Sequence, residues 1–246
     1  MRMGASYDVL SVFQGKGAIL SMMQISIIIP VLNEAVIVRE ALLSLRALRA
    51  EGHELILVDG GSTDATCALA APLVDRLLAS APGRARQMNA GAAVARHPLL
   101  VFLHVDTRIP FDLPAILHEA IGSEPGWGRF DVRLSGSHPF LRVVESLMNL
   151  RSRLTGIATG DQAIFCTRDL FLRVGGFPEI ALMEDIAIST LLRRLAFPLC
   201  LRQKVIPSSR RWEMQGIIRT VLKMWGLRLL YFFGVSPAML ARLYRG

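Results

Sequence analysis

Three clusters of polar and acidic residues lie where apolar runs end. Ile25-Ser26-Ile27-Ile28-Ile29-Pro30 leads to Asn33-Glu34, and Leu55-Ile56-Leu57-Val58 leads to Asp59-Gly60-Gly61-Ser62-Thr63-Asp64. Leu99-Leu100-Val101-Phe102-Leu103 leads to His104-Val105-Asp106. Carboxylates accept hydrogen bonds from a base or ribose and bind divalent cations through oxygen. Gly60-Gly61 permits a sharp turn and close backbone approach to a ligand, and Ser62 is placed to cap a helix beginning near Thr63. These residue types point to capture of a nucleotide diphosphate.

The elements that must position them follow from periodicity. Continuous Ile/Val/Leu runs separated by helical stretches read as parallel strands buried on both faces. In such sheets ligands bind outside the carboxyl ends of the strands, so acids distant in sequence reach one rim. Between the strands, Glu34–Ala50 reads as a helix with Val38, Leu42 and Leu45 on one stripe, residues 63–71 as a second helix, and 76–79 as a short strand. Arg84–Arg96 reads as a helix closed by His97-Pro98. Successive βαβ units of this kind need right-handed crossovers.

The second half changes character. Asp112–Ile121 reads as a helix, with Pro114 tolerated in its first turn. Arg129–Leu134 alternates polar and apolar residues, as a strand with one wet face does. A helix is expected over Pro139–Leu154, a strand over Thr159–Cys166, and a helix from Glu184-Asp185 to about Ala196. Acids at a helix start are favoured by the dipole alone. Near the end, Ile217, Ile218, Val221, Leu222, Trp225, Leu229 and Phe232 form one helical stripe, with Arg219 and Lys223 opposite and Arg228 at its edge. Ile217–Phe233 would reach about 25 Å as a helix, short of a hydrocarbon core of about 30 Å, so an in-plane helix on an anionic membrane, or equally a helix packed on the catalytic core, is expected rather than a span.

Taken in order, these segments resemble the family 2 glycosyltransferases. The resemblance is carried by Ile27–Glu34, Val58–Asp64, Asn89-Ala90-Gly91, Phe102–Asp106, Gly175-Gly176-Phe177 and Glu184-Asp185. Gly83–Gly91 and Arg210-Arg211-Trp212 also look like a bacterial subgroup often labelled arsenosugar-type or selenium-associated. The implied fold is α/β and GT-A-like: a mainly parallel nucleotide-binding sheet flanked by helices, a mixed acceptor-side half and a C-terminal amphipathic helix. The implied boundaries are a flexible arm over 1–24, a catalytic domain over 25–215 divided near residue 110, and the helical segment 216–246.

The resemblance also implies roles. Pro30, Asn33, Glu34, Asp59, Gly61 and Ser62 would hold the nucleotide, joined by Arg84, Asn89 and His104. Asp106 would hold Mn²⁺ or Mg²⁺, and Asp185, with Glu184 beside it, would be the general base of an inverting hexosyltransferase-like transfer. Arg84, Arg86, Arg210 and Arg211 are candidates for the diphosphate, since guanidinium matches phosphate bidentately; Arg211 is the leading one. Asp161, Gln162 and Trp212 would lie on the acceptor side. Two departures stand out: Asp59-Gly60 replaces the usual Asp-Asp pair, and His104-Val105-Asp106 replaces Asp-x-Asp. His104 would favour Mn²⁺ over Mg²⁺ as a ligand, or touch the ribose.

Composition agrees with one enzyme domain. The 246 residues are 52% hydrophobic, enough for a substantial core. Cys67, Cys166 and Cys200 lack metal-site or CxxC spacing and suit a reducing cytoplasm. The net charge of +8 comes without a nucleic-acid module or basic–aromatic interleaving, so a membrane surface at the inner face of the cell is the expected partner. The expected substrates are a UDP- or GDP-sugar and a lipid-linked or small-molecule acceptor. His53, His97, His118 and His138 have no partner spacing and receive no role. GxGxxG is absent after the first strand, which argues against a dehydrogenase. A nucleotidyltransferase and a non-catalytic nucleotide-binding protein are the alternatives.

Overall fold

A computed structural model describes residues 23–122 and 126–245. The parallel half is built from β1 (Ile25–Val31), β2 (Glu54–Asp59), β3 (Arg76–Ala79) and β4 (Leu99–Phe102), which pair in the order β3-β2-β1-β4. All three of these contacts are parallel. Because side chains alternate along a strand, the apolar runs divide between two faces. Ile27, Ile29, Leu55, Leu57 and Val101 join one core, and Ile28, Ile56, Val58, Leu100 and Phe102 join the other. Helices α1 (Val38–Ser44), α2 (Arg46–Ala50) and, beyond β4, α5 (Leu113–Ile121) cover the first face; α4 (Arg84–Val94) covers the second. Gly91 lets α4 approach β1 closely, since a Cβ there would lie 2.5 Å from Ile28.

Several local expectations need correction. The single helix expected over Glu34–Ala50 starts at Val38 and is interrupted at Leu45, whose amide bonds back to Leu42 in a tightened turn. The helix expected over 63–71 begins only at Thr66 (α3, Thr66–Ala70), and Ser62 does not cap it. Asp64 takes that part, accepting from the Thr66 amide at 3.0 Å. The expected arm lies outside the described residues except for Met23, which packs on the core, and Gln24.

The second half completes an eight-stranded sheet as β4-β7-β6-β8-β5. Its strands are β5 (Thr107–Arg108), β6 (Trp127–Val132), β7 (Ile164–Thr167) and β8 (Leu199–Pro207), and β7 runs antiparallel to both β4 and β6. The wet face expected on β6 does not exist. Arg129 is fully buried and pairs with Asp131, which also accepts from Arg153 of α6 (Pro139–Thr155) at 2.6 Å. A buried ion network gives the same alternation as a solvated face. The strand expected from Thr159 starts at Ile164, because residues 160–162 form a 3-10 turn in which Thr159 and Gln162 cap each other.

Helices α7 (Arg168–Arg173) and α8 (Glu184–Leu195) add Leu170, Phe171, Ile188 and Leu192 to the second core. After β8 come α9 (Arg210–Gln215), α10 (Ile217–Phe232) and α11 (Pro237–Arg245). Residues 216–245 therefore form two helices, and both dock on the domain. Ile217 and Val221 pack against Leu134, Leu141 and Val144, while Leu227 and Leu240 pack with Met183 ahead of α8.

Candidate active site

The loops after β1 and β2 lock together through side-chain to backbone hydrogen bonds. Asn33, in the left-handed conformation at φ 56, donates its amide to Ser62 Oγ at 2.8 Å and accepts the Thr63 amide on its side chain at 2.8 Å. Thr66 Oγ1 accepts the Glu34 amide at 2.8 Å, and Asp64 accepts the Ala35 amide at 3.1 Å. Asp59 accepts the Gly61 amide at 3.0 Å together with the Ser62 amide and hydroxyl. Burial pushes the Asp59 carboxyl up, and these donors outweigh it and hold it below the usual aspartate range. With about four lone-pair sites on a carboxylate, Asp59 is committed to shaping its own loop. Gln87 of α4, absent from the sequence-based assignments, donates to the carbonyls of Val31 and Val58 at 2.8 and 2.9 Å and fastens the ends of β1 and β2.

Beyond these loops lies a cavity of about 310 Å³ at the carboxyl ends of β1 and β4. Pro30, Glu34, Arg84, His104, Asp106, Asp161, Asp185, Arg210 and Trp212 line it, joining elements from nearly the whole described chain. Asp106 is set by strand pairing on its far side: its carbonyl accepts the Ser208 amide at 3.1 Å, and Thr107 of β5 pairs with Pro207 of β8. Burial and the Asp106 charge raise the Glu34 pKa, against the pull of Arg210. His104 faces Asp161, with Nδ1 3.5 Å from Oδ1, and packs its Cε1–Nε2 edge on Gly160. A Cβ at residue 160 would lie 2.5 Å from that ring, so only glycine admits the contact. Burial raises the Asp161 carboxyl, and His104 outweighs it to leave the group below its ordinary value.

The start of α8 supplies the opposite wall. Met183 sits at φ 70, a left-handed backbone that costs about 1–2 kcal/mol for a residue bearing Cβ, and it turns Glu184-Asp185 toward the cavity. Asp185 accepts the Gly160 amide at 3.0 Å and the Ile186 amide at 2.8 Å. Each oxygen thus keeps a free lone-pair direction. Glu184 is buried behind it; burial, then the Asp185 charge, raises its pKa, with Arg84 3.8 Å away as a partial counterweight.

Other expected residues take different posts. Asn89 exchanges hydrogen bonds with the Phe177 backbone, 2.9 Å each way, and pins the Gly175-Gly176 turn to α4 rather than facing the cavity. Gln162 is wholly buried, its Oε1 accepting the Thr159 amide at 3.1 Å, so it does not reach an acceptor. Arg86 pairs with Glu179 at 3.0 Å. The side chain of Arg211 lies outside what is described. Arg228 and Tyr244, from α10 and α11, line the cavity without having been anticipated as site residues. The only signal for Arg228 was its place at the edge of an apolar stripe.

Residues 26–173 match the family model described as Glycosyl transferase family 2. The chain belongs to glycosyl transferase family 2. No curated protein matches it significantly by sequence. Solved structures of family-2-like transferases share its fold. A mannosyltransferase from Pyrobaculum calidifontis in complex with GDP-Man and Mn²⁺ aligns at TM-score 0.58 and 20% identity over 76% of this chain. TarS 1-349 of S. aureus aligns at 0.59 and 16% identity over 90% of this chain and 69% of its own. Glucosyl-3-phosphoglycerate synthase from Mycobacterium tuberculosis, with Mn²⁺, UDP and phosphoglyceric acid, aligns at 0.56 and 20% identity over 87% of this chain and 80% of its own. This family 2 chain spans only 57% of the mannosyltransferase.

Proposed function

We propose that the protein is an inverting glycosyltransferase that moves a sugar from a UDP- or GDP-sugar to an acceptor hydroxyl at the periphery of a membrane. The observation carrying this reading is the convergence of Asp106, Asp185, Arg84 and Arg210 on one cavity. In a single displacement, the acceptor oxygen bonds to the anomeric carbon as the bond from that carbon to the diphosphate breaks. Asp185 takes the acceptor proton, a role worth about 10²–10⁴ in rate for a positioned base. Its hydrogen bonds from Gly160 and Ile186 fix the carboxylate without filling it. Arg84 and Arg210 meet the charge that builds on the leaving nucleotide.

The residues present suit a divalent cation of the Mn²⁺ or Mg²⁺ kind. Asp106 and Asp161 offer hard oxygen donors to the cavity, and among the described residues no three metal-ligating side chains cluster. Such a set suits an ion that completes its shell with diphosphate oxygens and water. When bound, the ion would supply Lewis-acid stabilisation of the leaving group. His104 serves here to hold Asp161.

Membrane contact is supported by α10. Ile218, Leu222, Trp225, Leu229 and Phe232 are exposed on it, Phe232 at 82%. No described helix is long and apolar enough to cross a membrane. This reading places the enzyme at the cytoplasmic face, with the exposed Arg219 toward anionic headgroups, while Lys223 lies over the Tyr244 ring.

The test is incubation with a panel of UDP- and GDP-sugars and Mn²⁺, scoring free nucleotide and the anomeric configuration of the product. Nucleotide release with inversion is expected. Release of pyrophosphate in a parallel incubation with UTP or GTP and a sugar 1-phosphate would mean nucleotidyl transfer, and nucleotide-sugar binding without release in either incubation would mean a non-catalytic nucleotide-binding protein. Asp106→Asn should abolish turnover and metal-dependent nucleotide binding; full activity of that variant in chelator would overturn the metal assignment. Arg219→Glu with Lys223→Glu should weaken binding to anionic vesicles at low salt, and a wild type that ignores such vesicles would remove the membrane from the proposal.

A further inference from the structure

A second cavity, of about 400 Å³, runs between α6 and α10 and is walled mainly by apolar side chains. Leu147, Leu150 and Leu154 of α6 and Trp225 of α10 form its exposed rim. It is continuous with the catalytic cavity, because Asp161, Trp212, Met224 and Arg228 line both.

Two guanidinium groups lie within this apolar groove. Arg151 of α6 has Nε and Nη2 buried with no hydrogen-bond partner, and Arg228 of α10 has its Nε in the same condition. Burial and the neighbouring Arg228 charge lower the Arg151 pKa to about 10, with Asp185 near enough to offset part of that. Buried polar groups in folded proteins are nearly always satisfied, so orphaned donors call for an explanation. Asp161 faces Arg228 but is already held by His104. Arg151 and Arg228 both line the groove, so their guanidinium groups form a cationic floor under a hydrophobic channel that adjoins the cavity holding Asp185.

We infer that the groove between α6 and α10 binds the acceptor, and that the acceptor is an anionic amphiphile with its phosphate or carboxylate on Arg151 and Arg228 and its hydrocarbon chain along the leucine rim. This rests on the glycosyltransferase reading for the word acceptor, but not for the binding itself. Charge complementarity selects the anion, since guanidinium pairs with phosphate and carboxylate through parallel hydrogen bonds. The length of exposed apolar rim selects a chain over a bare ion. A lipid surface under α10 would deliver such a molecule along the groove.

Decyl phosphate, neutral decyl maltoside and inorganic phosphate serve as probes, titrated below micelle concentration and read by the fluorescence of Trp212 and Trp225. Decyl phosphate should bind at least about tenfold more tightly than either of the others, the scale of hydrogen bonds to a charged group. Arg151→Gln and Arg228→Gln should each remove most of that preference; both relieve a buried cation, so the variants should fold. Equal binding of the maltoside would make the groove merely apolar, and equal binding of phosphate would make it a bare anion site; either result overturns the inference, as does a preference that survives both substitutions. Nucleotide release from the donor panel is scored separately. A wild-type protein that cleaves the donor but shows no amphiphile preference sinks this site alone. Absence of donor binding and cleavage sinks the transferase reading while the fluorescence result stands.

Discussion

The two ends of the parallel sheet treat buried charge in opposite ways. At the amino-terminal end, Glu54 is fully buried and completely partnered: Ser26 Oγ donates at 2.7 Å, the Arg96 amide at 2.9 Å, and the guanidiniums of Arg96 and Arg76 at 2.8 and 3.0 Å. At the carboxyl-terminal rim and the groove beside it, Glu184 has one guanidinium at 3.8 Å, and Arg151 and Arg228 keep orphaned donors. A charge whose partners are all protein stabilises the fold. A charge left short of partners costs stability and keeps its capacity for a ligand.

The sharpest way to break the contrast is at Asp185. Asp185→Asn should lower turnover by about 10²-fold or more while leaving donor affinity and melting temperature near wild type. If donor affinity falls and turnover holds, the rim carboxylate is a binding group and the division fails. Glu54→Gln should do the reverse, costing about 1.5–3 kcal/mol in denaturant unfolding, the value of hydrogen bonds to a charged group. Activity per folded molecule should be unchanged; a turnover defect without a stability defect would refute the assignment of that end to architecture.

A smaller and finer test is the pH dependence of the two glutamates. Burial raises Glu54 and its four donors outweigh that, leaving its pKa below the ordinary 4.5, so its contribution is present above that value and lost as pH falls through the folded pKa. Burial and Asp185 raise Glu184 above the same 4.5, so its contribution is present below that value and lost as pH climbs through the raised folded pKa. Relative to wild type, Glu184→Gln should therefore raise the melting temperature at neutral pH and make no difference in acid. Glu54→Gln should lower it at neutral pH and converge in acid. Parallel shifts in the two variants would erase the distinction.

The parallel half was legible because each of β1, β2 and β4 is a short continuous apolar run that can only be buried on both faces, and the rim follows from direction alone. What resisted reading depended on partners distant in sequence. Arg129 and Asp131 imitate a wet strand until Arg153 arrives from α6 to complete a buried network. The stripe on α10 was correct as a stripe, yet only Leu134, Leu141 and Val144 decide that Ile217 and Val221 turn inward while Leu222 and Trp225 do not. Asp59, Ser62 and Asn89 have the chemistry of ligand-binding residues and use it on neighbouring backbone. Side-chain type alone cannot tell a group that binds from one that braces. Arg151 sat unnoticed in a helix, since nothing local distinguishes an orphaned arginine from a solvated one.

The pairing of Thr107 with Pro207 has a consequence for biosynthesis. Chains emerge from the ribosome at about 5–20 residues per second and domains fold as units during synthesis. The four parallel strands have all been made once β4 is complete, but β4 pairs on its other edge with β7, and the core beneath them includes Phe130 and Phe165. Asp106, proposed above to hold the metal, is backed by Ser208, and Arg210 lies further still. A growing chain therefore cannot assemble the candidate site until several seconds after β4 has been made.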